Sequence, residues 1–435
     1  MPRRVVITGM GWVTPLGHDV ETVWQRMLRG ESGVGRTTRF DARTFPTTFS
    51  AEVKSFDLAD FLGARAQVHA GAALNARFAL AAAAQAWKSA GLAGFAGLQP
   101  ERVGVYLGGG EGPIDFDPFV AAAYAGCRND AGNATTLDTV RWARKAMQVF
   151  RAVSELEQDP NLAAAHLAVE LNARGPGLST LTACAASTQA LGEATAIIRY
   201  GDADVMISGG THSMLHPLGV TGFNRLTALS TRNDSPNTAS RPFDRTRDGF
   251  VLGEGSGMLI LEELEHALAR GARPLAEITG FGSTADAFRI TDMHEEGRGP
   301  QAAMRRALES AGVTVSDIDY ISAHGTSTEE NDKIESLAIR EVFGPRAGQV
   351  PVSSVKSMVG HLIAAAGAVE LITCVLAIRD GLLPPTINYA TPDPNCPLDY
   401  VPNQARRAQV RMALSNSFGF GGQNDTLVVR AVEPG

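Results

Sequence analysis

Short β-branched and apolar runs alternate along this chain with longer stretches whose apolar residues recur at helical spacing. Arg3 to Thr8 reads as a strand ending in Gly9 and Gly11, and the amphipathic Val20 to Leu28 follows as a helix. Residues 73–91 are rich in alanine, keep a helical period and stop at a glycine, which predicts a buried helix. Val103 to Leu107 is the next strand, running into Gly108, Gly109 and Gly110, and apolar runs at 202–210, 256–263 and 318–323 predict three more. Strands that alternate with helices and stop at glycine-flanked polar residues indicate an α/β architecture with functional groups at the strand ends. A charged helical stretch at 264–276 separates two parts that each contain such a junction. A duplicated architecture is therefore expected, with halves 1–264 and 265–435. The least orderly part is 111–165, with a Pro/Asp segment, an Asn/Gly turn and a helical stretch from Leu137 to Leu156; it is too short for a core of its own and reads as a lid or interface.

Composition narrows the picture. The 435 residues are 44% hydrophobic and 20% charged with 46 glycines, an ordinary globular profile with many tight turns. The net charge of −7 speaks against general nucleic-acid binding, which needs a concentrated basic surface. Four cysteines, Cys127, Cys184, Cys374 and Cys396, form no CxxC pair, so neither a disulfide framework nor a thiolate metal site is suggested, and a reducing compartment fits. No apolar stretch reaches the ~20 residues of a membrane span. A cytoplasmic protein is expected.

Candidate chemistry lies at three junctions. Cys184 sits between a strand-like and a helix-like segment, among small residues that permit a sharp turn; there a thiol feels the positive end of the helix dipole, which favours thiolate. A small buried hydrophobe is the plainer alternative for a lone cysteine. His324 follows a strand and is trailed by Gly325, Thr326 and Thr328; His361 enters an Ala-rich helix with almost no polar face until Glu370. A cysteine with histidines makes an acyl-transfer centre, and two histidines can donate to a developing oxyanion. Gly419, Gly421 and Gly422 around Phe418 and Phe420 form either a loop that brings N–H groups close to a carbonyl or a plain β-hairpin. Gly9 and Gly11 imitate a dinucleotide fingerprint, but Thr14 stands where a third glycine belongs. No metal-ligand set is visible.

Taken together, TACAAS around Cys184, HGTST from His324, KSMVGH from Lys356 to His361, SNSFGFGGQN from Ser415 and RPFDRTRDGFVLGEGSG from Arg241 resemble the β-ketoacyl-[acyl carrier protein] synthases of the elongating type, as found in fatty-acid and type II polyketide systems. The resemblance spans almost the whole chain. It implies a thiolase-like α/β fold, two similar halves in an αβαβα sandwich, and a homodimer, with a heterodimer open. It implies no separate cofactor, since substrates ride on the phosphopantetheine of an acyl carrier protein. Cys184 would accept the acyl chain, while His324 and His361 would bind the malonyl thioester carbonyl and promote loss of CO2. The N–H groups of Cys184 and Phe420 would form the oxyanion hole, with Gly419 beside it and Phe420 as gate. Lys356, paired with Glu335, would tune the electrostatics near His361; Asp332 would support the site, and Thr326 and Thr328 would bind the pantetheine arm. Phe223 and Glu111 would line the acyl pocket.

Glu111 departs from the family pattern, since an apolar residue usually floors that pocket, and a carboxylate buried against an alkyl chain costs several kcal/mol unless paired or protonated. The segment between Leu107 and Cys184 also exceeds the length expected of a housekeeping fatty-acid enzyme. Both point to a functionalised acyl group of specialised polyketide or polyene metabolism, with a salt bridge from Glu111 as the plainer alternative. Arg65, Arg77 and Arg225 are the thin set of candidates for carrier-protein docking. Competing readings are a non-catalytic chain-length partner, which typically lacks the cysteine, and an acyltransferase on the same fold.

Overall fold

The computed structural model describes residues 3–432 except 111, 113 and 130. Glu111 therefore lies outside the described residues. Ten strands build the core: β1 (Val5–Val13), β2 (Val103–Gly108), β3 (Gly177–Thr180), β4 (Val205–His212), β5 (Gly255–Glu263), β6 (Ala276–Ala285), β7 (Tyr320–Ser322), β8 (Val352–Ser353), β9 (Met412–Gly419) and β10 (Gln423–Arg430). The first five lie in the order β3-β2-β4-β5-β1 and the last five in the order β8-β7-β9-β10-β6. The pairing sense repeats as well. β2 is parallel to β3 and β4, and β5 is antiparallel to β4 and β1; β7 is parallel to β8 and β9, and β10 is antiparallel to β9 and β6. The two five-stranded sets meet through a short antiparallel contact, Val6 and Ile7 of β1 against Glu277 and Ala276 of β6.

The main helices are α1 (Leu74–Ser89), α2 (Phe116–Gly126), α3 (Thr139–Val149), α4 (Leu162–Leu171), α5 (Ala186–Tyr200), α6 (Arg298–Ala311), α7 (Glu329–Phe343) and α8 (Ala366–Asp380). Every residue of α8 from Ala366 to Ala377 is buried. A helix without a polar face must be covered all round, and α8 accordingly packs with α5 between the two sets of strands. Helices α1 and α6 cover the outer faces, against β1 and β6. The result is five layers in an α/β sandwich.

The sequence reading ends the first strand at Gly9; the structure carries it on through Gly11 to Val13. These glycines are sites of close approach. A Cβ on Gly9 would collide with the carbonyl oxygen of Ala86, and one on Gly11 with that of Ala82, both in α1. The second half repeats the device, with Gly280 and Gly282 of β6 against Ala307 and Ala303 of α6.

The region 111–165 holds more helix than the pattern suggests. Helix α2 escapes notice because Pro118 falls in its first turn, where a missing N–H is tolerated. The expected stretch 137–156 breaks at Phe150 into α3 and a short helix, Ala152–Leu156. A polar chain that runs from the surface to the buried His69 and Glu157 fastens this region to the body. Arg65 and the Nε2 of His69 both meet Glu170, the Nδ1 atoms of His69 and His166 face each other at 2.9 Å, and His166 reaches Glu157. Among the described residues no helix is long and apolar enough to cross a membrane.

Candidate active site

The chain reaches Cys184 from β3 through a turn, Ala183–Ala185, that leads straight into α5. Ala183 has φ 47°, a left-handed conformation that a non-glycine residue adopts only under local strain. The second half makes the same turn: Ile363–Ala365 leads into α8, and Ile363 has φ 43°. Ala364 stands where the first half has Cys184.

Cys184 is buried, and its Sγ lies 3.1 Å from Nε2 of His361. The Nδ1 of His361 accepts the N–H of Ile363 at 3.2 Å, so the neutral ring carries its proton on Nε2 and aims it at the sulfur. His324 stands edge-on to His361 with ring centroids 5.4 Å apart. Its Nδ1 accepts from Lys356 Nζ at 3.3 Å, which leaves Nε2 as its donor. Burial, with the Lys356 charge next in weight, holds both histidines well below the usual imidazole range. Both therefore act as neutral N–H donors.

Lys356 is sequestered rather than exposed to substrate. It donates to the carbonyl of His324 at 2.6 Å and is ion-paired with Glu370, not with Glu335 as the sequence reading expects. Glu335 instead accepts the backbone N–H groups of His324 at 2.8 Å and Gly325 at 2.7 Å. The reason is helical placement. Glu370 lies one turn inside α8, facing Lys356, whereas Glu335 lies under the loop that follows β7. Burial pushes both carboxyls up to about 7, opposed at Glu335 by its N–H partners and at Glu370 by Lys356. Asp332 accepts the N–H of Phe243 at 2.7 Å and of Ser327 at 3.2 Å, with Arg247 3.7 Å away, so it ties the loop carrying His324 to the Phe243 segment. Glu370 is the partner the sequence reading missed. Its signal was available, as one of two opposite charges in an otherwise apolar stretch.

A cavity of about 390 Å³ opens onto Cys184, His324 and His361, with Thr326, Thr328 and Phe420 along its wall. The hydroxyls of Thr326 and Thr328 are 2.8 Å apart. β9 and β10 form a hairpin, as the plainer reading of the glycine-rich stretch has it, and its tip reaches the cavity. Gly419 packs so near the Cys184 turn that a Cβ there would lie 2.8 Å from the Thr182 carbonyl and 3.2 Å from the Cys184 nitrogen. Phe418 packs edge-on to His324 at 5.8 Å. On another side Cys184 belongs to an apolar cluster with Leu215, Val220, Phe250 and Ile363, against which Phe223 packs. Phe223 meets Phe250 edge-on at 5.4 Å, and Phe250 meets His361 in the same way at 5.3 Å. Of the docking candidates, Arg65 is committed to Glu170, Arg77 is half-buried and Arg225 is exposed.

The sulfur and two ring nitrogens lie within 4.8 Å of one another, a spacing a soft divalent cation could bridge. The same spacing places one electrophilic carbon beside the sulfur and its oxygen beside two N–H donors, which is the demand of acyl transfer with an enolate intermediate.

Comparison with known proteins agrees with this chemistry. Residues 2–267 match the family model described as beta-ketoacyl synthase, N-terminal domain, and residues 275–390 match the corresponding C-terminal domain. The 3-oxoacyl-[acyl-carrier-protein] synthase 2 of Coxiella burnetii is 44% identical over 430 residues, covering 99% of each chain. The crystal structure of a beta-ketoacyl synthase from Burkholderia phymatum superposes with a TM-score of 0.88 at 34% identity, over 99% of this chain and 100% of that one. A type II PKS acyl-carrier protein in complex with its ketosynthase bound to the hexaketide gives 0.84 at 35% identity over the full length of both. Two matched domains, relatives aligned end to end and a repeated thiolase-like core lead to one conclusion, that the chain belongs to the β-ketoacyl synthase family of acyltransferases.

Proposed function

We propose that the chain catalyses decarboxylative condensation of a Cys184-bound acyl group with malonyl-[acyl carrier protein]. The family takes its substrates from the phosphopantetheine of an acyl carrier protein and needs no separate cofactor. In the first half-reaction the Cys184 thiolate attacks the acyl thioester carbonyl and the pantetheine thiol leaves. In the second, the malonyl C–carboxylate bond breaks, CO2 departs and its electron pair becomes the enolate. The enolate carbon attacks the acyl carbonyl, Cys184 leaves as thiolate, and a β-ketoacyl thioester results.

His324 and His361 donate to the thioester oxygen as it becomes an enolate, one such donor being worth ~2.7–4 kcal/mol. Lys356 fixes the His324 tautomer, while Glu335 and Asp332 hold its loop. The N–H groups of Cys184 and Phe420 take the tetrahedral oxyanion beside Gly419, Phe420 gates the cavity, and Thr326 and Thr328 receive the pantetheine arm. Phe223 borders the acyl chain. The single observation that carries this reading is the 3.1 Å contact between Cys184 Sγ and a histidine whose proton faces it. A non-catalytic partner has no use for that contact.

The relatives named 3-oxoacyl-[acyl-carrier-protein] synthase 2 support elongation in fatty-acid synthesis. A specialised polyketide or polyene substrate is the finer proposal, motivated by Glu111 in the sequence. Homodimerisation is proposed at β3, whose outer edge has no strand partner among the described residues; Leu178 and Leu181 are 44% and 52% exposed there. The deciding experiment incubates the enzyme with acyl and 14C-carboxyl-labelled malonyl carrier proteins. CO2 release coupled to chain extension supports condensation, and acyl transfer without CO2 loss sinks it.

A further inference from the structure

β4 ends at His212, and the next turn brings His216 to the N-terminus of the helix Pro217–Arg225. Neither histidine belongs to the machinery above. His212 is 1% exposed, and both of its ring nitrogens are buried without a hydrogen-bond partner. His216 accepts the Gly219 N–H on Nδ1 at 3.2 Å, so its neutral ring carries the proton on Nε2; that nitrogen too is buried and unpartnered. A buried polar atom left without a partner destabilises the fold. Three in one short segment call for an occupant that the protein alone does not supply.

Their position says where that occupant comes from. Between the two histidines lies Leu215, and beyond them Val220, both in the apolar cluster that contains Cys184. The ring of His212 rests against Gly110, with Ala364 of the second-half turn alongside. Phe116 at the start of α2 packs on the ring of His216 at 6.3 Å. Burial keeps His212 neutral, with its pKa depressed to about 3, so its ring offers one donor and one acceptor rather than a charge.

We propose that His212 and His216 line the acyl-chain side of Cys184 and hydrogen-bond a keto or hydroxyl oxygen on the bound chain, so that the enzyme selects oxygenated acyl groups over plain alkyl ones. This rests on Cys184 being the acyl acceptor. A methylene chain leaves the ring nitrogens unmet, whereas a keto oxygen can accept from the two ring N–H groups and a hydroxyl can also donate to the acceptor nitrogen of His212. Sites built around a buried polar partner discriminate strongly against analogues that lack it.

The test measures acylation of Cys184 by intact mass, using N-acetylcysteamine thioesters of octanoate, 3-hydroxyoctanoate, 5-oxooctanoate and 7-oxooctanoate. The wild-type chain is expected to load at least one oxygenated ester tenfold or more faster than octanoate. His212→Leu and His216→Leu should bring that ratio towards one, slowing the oxygenated ester and speeding octanoate, while His212→Gln retains part of the preference. A merely structural role would slow all esters alike and leave the ratio intact. Should a leucine variant fail to fold, the same ratio in His212→Gln and His216→Gln decides. Equal loading of all four esters by the wild type, or a ratio untouched by every substitution, overturns the proposal. Failure of the wild type to load any ester overturns the acyl-acceptor reading itself, and this proposal with it.

Discussion

Cys184 and His361 meet through a hydrogen bond whose direction is set elsewhere: the Ile363 N–H occupies Nδ1 of the ring, so the proton on Nε2 faces the sulfur. The histidine is thus arranged to stabilise a thiolate and, after acylation, to donate to an oxygen. Replacing the sulfur should separate the two half-reactions. Cys184→Ala is expected to lose chain extension by at least about a thousandfold, as removal of a covalent nucleophile does, while still releasing CO2 from a malonyl thioester. Paired assays of labelled CO2 and extended product check it, and extension at a tenth of the wild-type rate refutes the covalent role.

In the proposed mechanism His324 and His361 share the enolate oxygen. His324→Ala should lower the rate of condensation by about 10²–10³, the usual loss for one oxyanion donor. Single-turnover mixing of pre-acylated enzyme with malonyl carrier protein isolates that step. Loading of Cys184 should change far less, because His361 remains against the sulfur.

Lys356 and Glu370 form a buried ion pair, both about 1–2% exposed at the side chain. Removing one partner strands the other's charge in the interior. Glu370→Gln should destabilise the protein by about 3–5 kcal/mol, and the double change Lys356→Met with Glu370→Leu should recover most of that. Urea melts of the three proteins give the comparison, and an additive double variant would count against direct pairing.

The buried histidines make stability depend on acid. Burial pushes the His212 imidazole down to about 3 in the folded chain, from about 6.5 when it is exposed in the unfolded one. Between those values the unfolded chain binds more protons than the folded one, so stability is lost as pH falls below 6.5. His212→Leu removes this term. Relative to the wild type, the variant should gain about 1.4 kcal/mol between pH 7.5 and pH 5.5, the equivalent of one pK unit. Glu335 and Glu370, shifted the other way, are common to both proteins and cancel. Urea melts at the two pH values measure the difference, and a constant gap would contradict it.

Gly419 separates the hairpin tip from the nucleophile's turn. In Gly419→Ala the new Cβ would press on the Thr182 carbonyl and the Cys184 nitrogen, so acylation should slow at least tenfold and stability should fall by about 1–3 kcal/mol for an overpacked contact. Rapid-quench acylation alongside a urea melt distinguishes the two effects.

Much of this was legible in the sequence, and the gaps have physical causes. The strand before Cys184, the small residues in its turn and the unbroken apolar face of α8 are local patterns, and they placed Cys184 at a strand-to-helix turn and α8 in the interior. The glycines of β1 misled because a glycine that admits a neighbouring helix looks, in one dimension, like a glycine that turns the chain. The partner of Lys356 was misassigned because Glu335 and Glu370 are both acidic residues beside the right loop, and only the packing of α8 on the strands decides between them. His212 and His216 carried no motif. What singles them out is three buried ring nitrogens without a hydrogen-bond partner, which no sequence pattern records.

The repeated turn has a consequence of its own. Ala183–Ala185 and Ile363–Ala365 abut each other, so the positive ends of two helices, each equivalent to about half a unit charge, converge on one small volume. Only one of the two turns presents a sulfur; at the other, Ala364 offers no reactive group. The second half still brings its dipole to the place where a thiolate and then an enolate must carry negative charge. The duplication is thus a division of labour and not a redundancy: one half holds the reacting group, and both set the field in which it reacts.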